Sequence, residues 1–128
     1  MDFNIENKTC SFCGVRGTQG AKFAGGLGAM MCVPCVEHFH EVFSSKAKTD
    51  AVNRPPWDAM SDSQILSSLP LIAGNAEQVN DFLAEWVELA RSRKLSWAEI
   101  GKAMGTSRQA AWERFAQRVE RMRSQDTA

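Results

Sequence analysis

The sequence predicts a mainly α-helical chain with a small zinc-ribbon or knuckle module at its N-terminal end and a three- to four-helix helix-turn-helix bundle at its C-terminal end. Three observations carry that expectation. All four cysteines of the 128 residues stand as two Cys-x-x-Cys pairs between residues 10 and 35. Beyond about residue 60 the apolar residues recur at helical spacing. Charge is also unevenly distributed: residues 1–90 hold 6 basic and 11 acidic side chains, whereas residues 91–128 hold 9 basic and 4 acidic. A basic half on a chain of zero net charge hints at nucleic-acid contact by that half.

The length suits two small modules, divided here as residues 1–45, a linker at 46–60, and residues 61–128. An apolar fraction of 44%, with 4 Trp and 7 Phe, is enough to anchor a core. No run of 18 apolar residues exists, so no membrane contact is expected. The opening "MDFNIENKT" has neither the basic nor the apolar region of a secretory signal. The expectation is a cytoplasmic protein, and in a reducing compartment four cysteines argue for metal rather than disulfides.

Along the chain, residues 1–9 read as a polar lead-in. Residues 10–35 are glycine-rich and lack helical periodicity, which predicts turns and short strands. After Cys35, Val36, Phe39 and Phe43 fall at helical spacing, with Pro34 near the first turn. Residues 44–58 are polar and contain Pro55-Pro56, a linker signal, with Trp57 as its docking point. "MSDSQILSSLP" predicts a short helix capped by Ser61 and ended before Pro70. A stronger helix is expected from about Ala76 to Lys94, with Val79, Phe82, Leu83, Trp86, Val87 and Ala90 on one apolar stripe. Ser96 and Glu99 form a capping-box pattern for a short helix from Trp97 to Met104. Gly105-Thr106 breaks that helix. A last helix starts near Ser107, with Ala111, Phe115, Val119 and Met122 facing inward.

Zinc favours four thiolates in a tetrahedron, and each Cys-x-x-Cys turn can present two of them to one ion. Cys10/Cys13 and Cys32/Cys35 are separated by 18 residues, inside the interval expected of a paired-knuckle site. Gly14 permits the turn that follows the first pair. The sequence thus predicts one structural zinc ion per chain. Four thiolates close its shell and leave no place for a catalytic water, so His38 and His40 are expected at the surface or in a dimer contact rather than on the metal.

"CSFCG", followed at this distance by "AGG", "MMCVPCVE" and a helix, resembles the N-terminal zinc-binding domain of the ClpX unfoldases of the Clp protease. The resemblance covers about residues 8–44. It implies zinc on Cys10, Cys13, Cys32 and Cys35, and a dimer that docks adaptors and substrates. The chain has no phosphate-binding Gly-x-x-x-x-Gly-Lys loop and no room for an ATPase, so it is not expected to be an unfoldase. Phe23, Leu27, Met30, Met31, Val36, Phe39 and Phe43 are too many apolar groups for so small a module to bury alone, which predicts a homodimer or a docked partner.

In "IGKAMGTSRQAAWERF", Gly101 is the small residue that a close helix crossing needs and Gly105 makes the turn. Ser107 would cap the second helix. Ser107, Arg108, Gln109 and Glu113 would then face base edges of double-stranded DNA. Arg can grip guanine and Gln adenine through paired hydrogen bonds. Lys102, Arg114, Arg118 and Arg121, together with Arg91, Arg93, Lys94 and Arg123, are candidates for phosphate contact. Trp86, Trp97 and Trp112 are expected to serve packing. The segment resembles the helix-turn-helix of small bacterial transcription regulators and the −35-reading region of sigma factors, over about residues 76–123.

The functional expectation is a DNA-binding transcriptional regulator whose zinc module dimerises or recruits a partner. No nucleophile–base pair, open metal site or phosphate loop is evident, so neither catalysis nor a small-molecule substrate is expected. The rival expectation is a protein-interaction adaptor of the Clp machinery or of RNA polymerase that does not read DNA.

Overall fold

Chain built around closely spaced cysteines and glycines has few side chains with which to make a regular layer, and it folds as two knuckles and a short hairpin. The computed structural model describes residues 5–18, 21–51 and 57–127. A 3-10 turn at Ile5–Asn7 leads into the first knuckle. Strands β1 (Phe23–Gly25) and β2 (Met30–Cys32) then pair antiparallel, with Phe23 opposite Cys32 and Gly25 opposite Met30. Helix α1 (Val33–Phe43) follows directly and α2 (Lys46–Ala51) after it. Beyond a 3-10 turn at Trp57–Ala59 come α3 (Asp62–Ser92), α4 (Trp97–Ala103) and α5 (Arg108–Thr127). The fold is mainly helical with a small two-stranded sheet. Of the expected linker, residues 46–51 are helical, while Pro55-Pro56 lie outside the described residues.

The chain divides into two compact units, one reaching to Val79 and the other starting at Asn80, with α3 contributing to each. In the first unit the buried apolar residues among those described are Cys10, Cys32 and Val42. Two of these three are cysteines, so hydrophobic burial alone gives this unit little to stand on. Thr49 ties α2 to α1 by donating its hydroxyl to the Val42 carbonyl at 3.1 Å.

The second unit has a conventional core. Ala84 and Val87 from α3, Ile100 from α4, and Ala111, Phe115 and Val119 from α5 are buried together, with Leu83, Ala90, Trp97, Met104 and Met122 packed around them. Each large side chain taken from water in this way contributes about 1.5–3 kcal/mol. Ion pairs join Arg118 to Asp81 and Arg123 to Glu88 along the α3–α5 seam. Partly exposed as they are, each is worth at most about 1 kcal/mol.

Two helical expectations change. The helix expected to stop before Pro70 and the one expected from Ala76 are a single helix, with Pro70 inside it. Proline removes one N–H and crowds the carbonyl four residues back. Here that carbonyl belongs to Leu66, an exposed residue, where water can take the place of the lost donor. The apolar stripe of α3 is also wider than the core it meets. Leu83, Val87 and Ala90 face the core, whereas Val79 and Trp86 are exposed. Among the described residues no helix is long and apolar enough to cross a membrane.

Candidate metal centre and candidate nucleic-acid interface

The first knuckle is a tight loop closed by its own backbone. Cys10 N–H donates to Val15 O at 2.9 Å, Gly14 N–H to Cys10 O at 3.0 Å, and Gly17 N–H to Lys8 O at 2.8 Å. Gly14 sits at φ +80°, a conformation that side chains other than glycine rarely adopt. The loop docks on β2 through Ser11, whose N–H reaches Met30 O at 2.7 Å while its hydroxyl accepts from Met30 N–H at 3.0 Å.

The second knuckle is the start of α1. Cys32 is the N-cap in extended conformation (φ −72°, ψ 158°), with Pro34 in the first turn, where its missing N–H has no partner to lose. Cys35 lies in that same turn. The hairpin thereby delivers Cys32 and Cys35 to the first knuckle.

All four Sγ atoms lie within 4.8 Å of one another. Cys10 and Cys35 are 3.8 Å apart and Cys13 and Cys32 are 3.7 Å apart. A disulfide needs about 2.05 Å. Thiolates bound tetrahedrally at about 2.3 Å from zinc stand about 3.8 Å from each other, so the donor set fits that ion.

Electrostatics point the same way. Burial pushes the Cys10 thiol up, but hydrogen bonds with the backbones of Cys32, Cys13 and Phe12 outweigh it and hold Cys10 at about 6. Two of these, from the Phe12 and Cys32 N–H groups, measure 3.4 Å. For Cys13 the largest single effect, the Val15 backbone, lowers the thiol, yet burial and the thiols of Cys32 and Cys10 together raise it. Burial, followed by the neighbouring thiols of Cys32, Cys13 and Cys10, pushes Cys35 well above the ordinary thiol range. The Cys10 thiolate is therefore easy to form, whereas Cys13 and Cys35 resist ionisation. A divalent cation held among the thiols would supply positive charge that favours their thiolate forms. His38 and His40 are both exposed on α1 and belong to no such cluster among the described residues.

The other candidate site is the turn between α4 and α5. Ser96 accepts from Glu99 N–H at 3.1 Å, and Glu99 in return accepts from Ser96 N–H at 2.7 Å, completing the capping box. Gly105 turns the chain at φ +71°. Ser107 then caps α5 by accepting from Ala110 N–H at 3.0 Å. Arg108 and Gln109 open the helix, both exposed. Gln109 Nε2 donates to Glu113 Oε1 at 3.1 Å, linking two of the candidate base-reading residues to each other. Lys102, Arg114 and Arg121 are exposed as well, with Arg114 lying 4.9 Å over the Phe115 ring. Arg118 differs, being half-buried and ion-paired with Asp81. Arg91 is engaged by the Trp97 ring and the Leu95 carbonyl.

No family model matches the chain. It is similar to an uncharacterized protein of Mycobacterium bovis and to uncharacterized proteins from two strains of Mycobacterium tuberculosis, each 41% identical over 56 residues. That match takes in 43% of this chain and spans 22% of the length of each relative. No solved structure matches.

One residue escaped sequence reasoning. Gln78 is buried and clasps the backbone of Thr9 from both sides: its Oε1 accepts from Thr9 N–H at 2.8 Å and its Nε2 donates to Thr9 O at 2.9 Å. Thr9 immediately precedes Cys10, so α3 positions the first cysteine of the four-thiol cluster. A glutamine beside Glu77 and near Asn75 and Asn80 on a helix carries no sign of so distant a partner. Of the tryptophans expected in packing, Trp86 and Trp112 are instead exposed, at 42% and 46%.

Proposed function

We propose that the chain is a sequence-specific DNA-binding transcriptional regulator, with α4 and α5 as a helix-turn-helix and a ClpX-like structural zinc module at the N-terminal end. The observation that carries this reading is the approach of Gly101 to the start of α5. A Cβ on Gly101 would stand 2.7 Å from the Ser107 carbonyl oxygen. Such a close crossing, followed at once by a capped and exposed helix start bearing Arg108 and Gln109, suits a helix laid N-terminus first into the major groove. The local excess of positive charge supplies phosphate attraction. Arg118, held by Asp81, is the weakest of the phosphate candidates. We read the protein as a binder rather than an enzyme, because four thiolates leave a zinc ion no open position. Pairing of zinc modules would place one reader on each half-site and raise avidity.

A second reading, a protein-interaction adaptor of the Clp or transcription machinery, is favoured by exposed Phe12, Val36 and Phe43 of the first unit and by Leu66, Leu69 and Ile72 of α3. The deciding experiment is selection of duplexes from a random-sequence pool by the zinc-loaded full chain, followed by binding across roughly 50–200 mM salt. DNA reading is expected to yield an enriched sequence, affinity that falls steeply with salt, and a loss of about 1–3 kcal/mol of discrimination in Arg108→Ala or Gln109→Ala. Arg121→Ala should instead weaken all duplexes alike. Failure to bind any duplex at low salt overturns the regulator in favour of the adaptor.

A further inference from the structure

We propose that Trp112 is a specificity-determining residue of α5, contacting the 5-methyl group of a thymine in the major groove; this deepens the DNA-reading function proposed above and rests on it. Trp112 lies four residues after Arg108 and three after Gln109, so the three side chains neighbour one another at the N-terminal end of the helix. The core of this unit takes Ala111 and Phe115 from the same turn and leaves the indole aside, 46% exposed. Trp97 shows what a packing tryptophan looks like here: it lies against the core with Arg91 over its ring.

The surroundings of Trp112 select its partner. Trp112 shares its face of α5 with Arg108 and Gln109, both exposed hydrogen-bonding side chains. One apolar group among hydrogen-bonding groups matches the edge of a base-pair stack, where the thymine methyl is the apolar feature beside the donors and acceptors. Ser107 fixes the start of the helix by capping it at 3.0 Å, so the indole has a defined place relative to Arg108 and Gln109.

The test uses the zinc-loaded full chain and the duplex it enriches from a random-sequence pool. Each thymine is replaced in turn by deoxyuridine, which removes only the methyl group, and binding is measured for wild type, Trp112→Ala and Trp112→Phe, with circular dichroism to confirm that each variant folds. Trp112→Ala is expected to lose about tenfold in affinity for the enriched duplex. At one thymine per half-site, demethylation should weaken wild type several-fold, weaken Trp112→Phe less, and leave Trp112→Ala unchanged. Should Trp112→Ala fail to fold, the same coupling is read from Trp112→Phe. If the wild type enriches a duplex but every methyl loss is felt equally by the variants, Trp112 does not read thymine and the DNA function stands without it. If the wild type enriches no duplex, the DNA reading itself falls and takes this inference with it.

Discussion

The place a Cβ would occupy on Gly101 lies 2.7 Å from the carbonyl oxygen of Ser107 and 3.0 Å from that of Thr106. Both obstacles are backbone, which cannot swing aside as a side chain can. Alanine at position 101 would gain about 1 kcal/mol of helix propensity, but the overlap forces α4 away from the start of α5. Gly101→Ala is therefore expected to destabilise the second unit by about 1–3 kcal/mol net, and Gly101→Val by more. Gly74, exposed on α3 with nothing within 4 Å of its Cβ position, is the opposite case: Gly74→Ala should stabilise by about 0.5–1 kcal/mol. Denaturant unfolding that ranks the two substitutions in the reverse order would refute the close crossing.

Metal should hold the first unit together. Its buried apolar residues are few, while structural zinc contributes on the order of 10 kcal/mol. Elemental analysis is expected to find one zinc ion per chain. Hydrogen exchange after chelation, or in Cys32→Ser, should show lost protection over residues 8–44 and retained protection over α4 and α5, whose core owes nothing to the cysteines. Unchanged exchange after complete zinc removal would mean that the cluster is not structural.

Gln78 should matter to the metal although it never touches it. Gln78→Ala leaves the N–H and carbonyl of Thr9 without their protein partners, a loss of about 1–3 kcal/mol where those groups stay buried. Gln78→Glu keeps the acceptor but removes the donor to Thr9 O. Both variants are expected to surrender zinc to a chromogenic chelator faster than wild type. Equal transfer rates would confine Gln78 to a packing role.

The Ser96–Glu99 capping box has a pH signature. The backbone N–H of Ser96 first, and its hydroxyl second, hold the Glu99 carboxyl below its ordinary value. A carboxylate with a depressed folded-state pKa stabilises the fold above its unfolded pKa of about 4.3 and loses that contribution as pH falls through the folded value. Glu99→Ala should therefore melt below wild type at pH 7, and the gap should close as the pH drops below about 4. Both proteins lose zinc in acid, so the difference between their melting temperatures isolates Glu99. A gap that stays constant from neutral to acid pH would exclude an ionised cap.

Ser107→Ala removes the acceptor for Ala110 N–H at the start of α5 and should cost about 1 kcal/mol. It is expected to loosen the first turn of α5 selectively, read as faster exchange at Arg108–Ala111 than at Phe115–Val119. Uniform exchange along α5 would count against a localised cap.

Sequence alone determined whatever is decided within a few residues of chain. The two Cys-x-x-Cys pairs announced a four-thiol cluster, Gly14 and Gly105 marked turns that need positive φ, and Ser96 with Glu99 marked a helix start. The helical spacing of apolar residues likewise put Ala111, Phe115 and Val119 on the buried face of α5. Tertiary structure decided the rest, because burial depends on what distant chain supplies. Pro70 would end a helix whose Leu66 carbonyl was sealed from water, and it does not end this one, whose Leu66 is exposed. Gln78 became a clasp only because the fold brings Thr9, 69 residues away in sequence, against α3. Arg118 and Arg121 are alike on a helical wheel until Asp81 claims one of them. Trp112 has the composition of a core residue and an exposed place, since Ala111 and Phe115 already fill the side of α5 that packs inward.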